Sequence, residues 1–222
     1  MSLHSTLIQI LLAFTVFALL FVLYLLRSMF IPTRGARINR YPRPKKALLV
    51  LDIQESGSNS TVAFPVHSPL GRMILTVNRL IECFDSTGHK VAYVRQVFRS
   101  SLITRLHGGR IVPGNLEPQI CRWVTVVNSN DFSKNRTDAF SNRRLEQFLI
   151  DNQVDELYLV GLDAAFCVYY TALGALNRGY RVTVVSDGVM TGREMAQVLK
   201  RYRSKGITVI KSTDLETAMA LQ

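Results

Sequence analysis

Twenty consecutive residues without a charge, LIQILLAFTVFALLFVLYLL from Leu7 to Leu26, divide this chain before any other feature is weighed. At about 1.5 Å of rise per residue, a helix of that length reaches about 30 Å, the thickness of a bilayer's hydrocarbon core. Gln9 and Thr15 are its only clearly polar side chains. A cleaved leader would have a shorter apolar stretch, a basic segment before it and a small-residue cleavage site after it. A core helix of a globular domain would carry a polar face. The run is therefore expected to be a transmembrane anchor (1–26), and the rest of the chain must fold without it.

Charge orients the anchor. Residues 1–6 hold no Lys or Arg, whereas Arg27, Arg34, Arg37, Arg40, Arg43, Lys45 and Lys46 follow the run with no acid among them. The positive-inside rule places that side, and the domain beyond it, in the cytoplasm as a single-pass membrane protein. Removing these seven charges from the net +11 leaves +4 for residues 47–222. The basic character thus belongs to a juxtamembrane linker (27–45) suited to anionic headgroups. No concentrated basic face remains for nucleic acid. Pro32, Gly35, Pro42 and Pro44 discourage helix there, and a solvated or lipid-surface linker is expected. The three cysteines, Cys83, Cys121 and Cys167, form no CxxC pair, which argues against a disulfide framework or a zinc site.

From residue 46 to 222, short apolar runs alternate with helical patterns. Strands are expected at 46–52, 90–98, 123–128, 156–162, 181–188 and 206–212. Helices are expected at 69–84, 141–152, 167–177, 193–203 and 214–221, with irregular loops at 55–61 and 99–120. Ser68 reads as an N-cap with Pro69 at the first helical position. Continuous apolar strands alternating with helices predict an α/β fold, a doubly wound and mainly parallel sheet with helices on both faces. Ligands in such sheets bind beyond the carboxyl ends of the strands. Asp52, Asp163, Cys167 and Asp187 stand there, and Lys134 is expected in a loop after the third strand.

These residue types suit a cysteine hydrolase. A thiol at a helix N-terminus meets unpaired N–H groups and the positive end of the dipole, which favour a thiolate. An Asp can take its proton, and a Lys can stabilise both anions.

Three stretches then give a family resemblance. ALLVLDIQ (47–54), FSKNRTDAFSNRRLEQFL (132–149) and LYLVGLDAAFCVYYTALGALNRGYRVTVVSDG (157–188) resemble, in order, the signature segments of the isochorismatase-like cysteine hydrolases. That superfamily includes nicotinamidases, N-carbamoylsarcosine amidase, ureidoacrylate and biuret amidohydrolases, and isochorismatases. The resemblance implies a catalytic triad of Asp52 as general base, Lys134 as its partner and Cys167 as nucleophile. It implies a cis peptide at Leu162–Asp163, an oxyanion hole from the N–H groups of Asp163 and Cys167, and assembly as dimers or tetramers. Gln54, Phe98, Phe166 and Tyr169 are assigned to the substrate pocket.

The chain also departs from the pattern. Nicotinamidases carry an Asp-x-His metal motif after the second strand, where this chain reads VRQVFRSS, so neither metal nor cofactor is expected. Gly57 stands where an aromatic is common. Asp163 occupies a place usually held by a small neutral residue, where it can cap the helix or meet substrate. The expected activity is hydrolysis of a C–N bond in a small amide or ureido-type compound. Vinyl-ether hydrolysis and a non-catalytic scaffold at the membrane are the alternatives.

Overall fold

The structure is a computed structural model that describes residues 3–39, 41–55, 66–97 and 118–220. It divides into two units, Met1–Ile31 and Pro32–Gln222. The first is one helix, α1 (Leu3–Phe30). Its stretch Thr6–Tyr24 is long and apolar enough to cross a membrane. Within it, Thr15 Oγ1 donates to Leu11 O at 2.8 Å, so this hydroxyl is satisfied within the helix.

The second unit is a six-stranded parallel sheet, β1 (Lys45–Leu51), β2 (Lys90–Gln96), β3 (Asp131–Lys134), β4 (Val154–Gly161), β5 (Arg181–Val189) and β6 (Thr208–Ile210). The spatial order is β3-β2-β1-β4-β5-β6. The order therefore reverses between β1 and β4, and the crevice at their carboxyl ends is the place where a doubly wound sheet binds ligands.

Helices cover both faces: α2 (Pro69–Ser86), α3 (Arg143–Asp151), α4 (Cys167–Asn177), α5 (Met195–Arg203) and α6 (Ser212–Ala220). The inner strands have no solvated face, which is why they read as unbroken apolar runs. Along β1, Ala47, Leu49 and Leu51 join one core with residues of α3, α4 and α5. Leu48 and Val50 join the other, with Ile74, Val77 and Ile81 of α2 and Leu215 of α6. Ser68 caps α2 by accepting from Gly71 N at 3.0 Å, as its place before Pro69 predicts.

Two expectations about the strands are corrected. WVTVVN (123–128) is not a strand. Side chains satisfy its backbone in place of a ladder: Asn78 bonds Trp123 O and Thr125 N, and Tyr93 Oη bonds Thr125 O and Val127 N. The strand expected there is Asp131–Lys134, so Lys134 is the last residue of an edge strand and not a loop residue.

The middle of the linker, from Thr33 to Ile38, is docked rather than solvated. Thr33 donates from N and Oγ1 to Asp138 Oδ2 at 2.7 and 2.6 Å. Arg178 Nη1 donates to Thr33 O and Oγ1, and Ile38 N donates to Arg178 O. Asp138 and Arg178 are both buried, and Arg178 is neutralised by Glu146 at 2.6 Å. Their unmet polar groups hold Thr33 to Ile38 against the domain.

Candidate active site

Chain direction places three side chains at the crevice. β1 ends at Leu51 and Asp52 follows with φ +55°, in the left-handed region that non-glycine residues rarely adopt. Asp52 N donates to Val94 O and Leu162 N donates to Leu51 O, so both neighbouring strands hold the turn. Gly161 ends β4 with φ +114°, and a Cβ there would lie 2.0 Å from Leu51 O. Only glycine fits, and its fit brings the ends of β1 and β4 together. The Leu162–Asp163 peptide that follows is cis. α4 then starts at Cys167.

Lys134 reaches across from β3. Its Nζ lies 2.8 Å from Asp52 Oδ2 and donates to Cys167 Sγ at 3.2 Å. The Lys134 side chain is wholly buried and that of Asp52 is nearly so. The structure thus brings together the three residues that the sequence singled out. Beyond the other two and neighbouring Gln96, the Asp52 carboxylate has no hydrogen-bonding partner among the described residues. A buried acceptor with spare capacity is what a proton-accepting group requires.

The protonation balance differs from the sequence-based expectation of a lowered thiol. Burial pushes the Cys167 thiol up to about 11, and the Asp52 carboxylate beside it adds to the rise, against the opposing pull of Lys134. Burial likewise raises Asp52, with Lys134 opposing. Burial thus favours the protonated form of each group over its anion, with the Lys134 ammonium opposing both. The helix terminus favours a thiolate, but removal of both anions from water outweighs it.

The start of α4 also presents free donors. Ala164 N donates to Met190 O, Ala165 N to Asp163 Oδ1, and Phe166 N and Val168 N to Asp163 O. The N–H groups of Asp163 and Cys167 have no such partner among the described residues. The Asp163 side chain does not cap α4, whose start at Phe166 has no side-chain cap; its Oδ1 instead accepts from Ala165 N at 2.7 Å, in an Asx turn ahead of the helix.

The remaining pocket assignments separate. Phe166 is half-buried, with the Arg193 guanidinium 5.6 Å over its ring. Tyr169 belongs to the core: its ring packs on Tyr202 and Tyr170 and lies 3.6 Å beneath the Arg201 guanidinium. Gln54 gives both ends of its amide to the Gln96 backbone. Asp187 holds the start of α6 through Ser212 N and Oγ. Phe98 and Gly57 lie outside the described residues. Among the described residues, no cluster of three or more His, Cys, Asp or Glu forms a metal site. Gln96 escaped the sequence reading, because nothing in the sequence ties it to Lys134, 38 positions away.

The family model of the Isochorismatase domain matches residues 46–214. Nicotinamidase of Escherichia coli (strain K12) is 33% identical over 76 residues, 32% of this chain and 36% of that protein. N-carbamoylsarcosine amidase of an Arthrobacter species is 44% identical over 56 residues, 25% of this chain and 21% of that protein. The matched stretches thus span well under half of these curated relatives. Among solved structures, N-carbamoylsarcosine amidase from Thermoplasma acidophilum superposes with a TM-score of 0.62 at 27% identity, over 76% of this chain and 96% of that one.

Proposed function

Because the chain belongs to the isochorismatase family, we propose that it is a membrane-anchored cysteine hydrolase that opens a C–N bond of a small amide or ureido-type substrate. The observation that carries this reading is the single buried ammonium, Lys134 Nζ, bridging Asp52 Oδ2 at 2.8 Å and Cys167 Sγ at 3.2 Å. Relatives with amidase names support C–N chemistry.

In this reading the resting thiol is neutral. As Sγ attacks the substrate carbonyl carbon, its proton passes to Asp52, and Lys134 stabilises the charge on either side of the transfer. The N–H groups of Asp163 and Cys167 receive the oxyanion. Collapse breaks the C–N bond, and the departing nitrogen takes the proton from Asp52. Water then gives a proton to Asp52 and attacks the thioester. Collapse releases the acid, and Asp52 returns the proton to Sγ.

The test is a hydrolysis screen of the full chain in detergent against amides, ureido compounds and isochorismate, with Cys167→Ala as control. Nitrogen release that the control lacks is expected. Turnover of isochorismate alone would assign vinyl-ether chemistry, and no turnover across the panel would leave a scaffold. The anchor is tested by alkaline carbonate extraction of membranes holding the full chain. Retention in the pellet is expected, and release contradicts a spanning helix.

A further inference from the structure

The Lys134 ammonium has three protons and four acceptors within reach. Besides Asp52 and Cys167, Nζ donates to Gln96 Oε1 at 2.5 Å and faces Arg136 O at 3.3 Å. Gln96 also touches Lys134 at a second point, where Nε2 donates to the Lys134 carbonyl at 3.2 Å. The two residues are register partners in the parallel pair of β2 and β3. Gln96 is itself held. Gln54 Oε1 accepts from Gln96 N at 2.7 Å, and Gln54 Nε2 donates to Gln96 O at 3.2 Å. A chain of two amides thus runs from the end of β1 to the ammonium, and every polar end in it is engaged.

We infer that Gln96, seated by Gln54, is a positioning residue that fixes the Lys134 ammonium between Asp52 and Cys167 while adding no charge to the site. The inference deepens the hydrolase reading above and rests on it. An amide oxygen takes one ammonium proton and leaves the positive charge to be shared by the carboxylate and the thiol alone. A carboxylate at the same place would bind Lys134 as well but would put a second anion beside Sγ. The charged and titratable groups that face the thiol among the described residues are Asp52, from the end of β1, and Lys134, from β3. A neutral neighbour on β2 therefore leaves one anion opposite one cation.

Gln96→Glu keeps shape and acceptor, gives up the Nε2 donor to the Lys134 carbonyl and adds charge. Gln96→Asn stays neutral but is too short to reach Nζ. The measurement is the rate of iodoacetamide modification of Cys167 in the full chain, read by mass spectrometry and needing no substrate, with folding checked by thermal melting. From about pH 7 to about pH 10 the thiol is mostly protonated, so an upward shift of about one pH unit reads as about tenfold slower modification. Gln96→Glu is expected to be slowed about tenfold, and Gln96→Asn by a smaller factor. A Glu variant modified at the wild-type rate overturns the inference, because an added anion that leaves the thiol unmoved shows that the neutrality of this side chain is of no account to the site. If Gln96→Glu does not fold, Gln96→Asn decides: slowing supports the inference and the wild-type rate overturns it. Should the substrate screen fail while this order of rates holds, the hydrolase reading falls and the positioning role stands.

Discussion

Lys134 Nζ lies 2.8 Å from Asp52 Oδ2, and the lysine side chain is wholly withdrawn from solvent. Such a pair is costly to break from one side, because the surviving charge stays buried without its partner. Lys134→Met is expected to abolish hydrolysis and to destabilise the domain by about 3–5 kcal/mol. The double variant Asp52→Asn/Lys134→Met removes both charges and should regain most of that stability while remaining inactive. Urea unfolding of the four proteins in a cycle checks this. Additive losses would show that the two residues are not coupled.

The acid side of the pH profile follows from Asp52. Burial outweighs the nearby ammonium and holds this carboxyl above its ordinary 3.8. The group must be ionised to accept the thiol proton, so protonation removes activity. kcat/KM is expected to fall as pH drops through a value above the ordinary aspartate range. A limb at or below 3.8 would place Asp52 outside the proton transfer.

Gly161 is expected to admit no side chain. With φ +114° and a would-be Cβ 2.0 Å from Leu51 O, Gly161→Ala must push β1 and β4 apart beside Asp52. A loss of more than about 3 kcal/mol in unfolding free energy is expected, with activity lost in whatever folds. A variant that melts with the wild type would contradict the close approach.

The docked segment makes a separate prediction. Thr33→Val removes the hydroxyl that bonds Asp138 and Arg178 but leaves the backbone contact, at a cost of about 1 kcal/mol. Asp138→Ala also strands the N–H groups of Thr33 and Phe140 and costs about 1–3 kcal/mol or more. Hydrogen exchange at Ile38, whose N–H bonds Arg178 O, should quicken in both. Unchanged exchange would mean that the segment is held by other contacts.

Where the sequence was legible and where it was not has physical causes. KALLVL and LYLVG are buried on both faces, so each side chain reports the same environment and their strands are unmistakable. WVTVVN is also largely apolar and is buried at Val124, yet Asn78 and Tyr93, distant in sequence, take the hydrogen bonds a ladder would use. Asp52 and Cys167 were legible from their residue types at strand ends, and the family resemblance joined Lys134 to them although its strand was not foreseen. Gln96 was not, since its role depends on a lysine 38 positions away. Thr33 was hidden among arginines, and its partner Asp138 is 105 residues distant. The protonation of Cys167 could not be read from helix position alone, because it turns on how deeply its neighbours are buried.

The most direct test of Cys167 as nucleophile is intact-mass spectrometry of the full chain, quenched in acid during turnover of any substrate the screen identifies. A mass increase matching the substrate's acyl portion, mapped to Cys167 and absent from Cys167→Ala, is expected. A Cys167→Ala protein that hydrolyses that substrate at the wild-type rate would contradict the account.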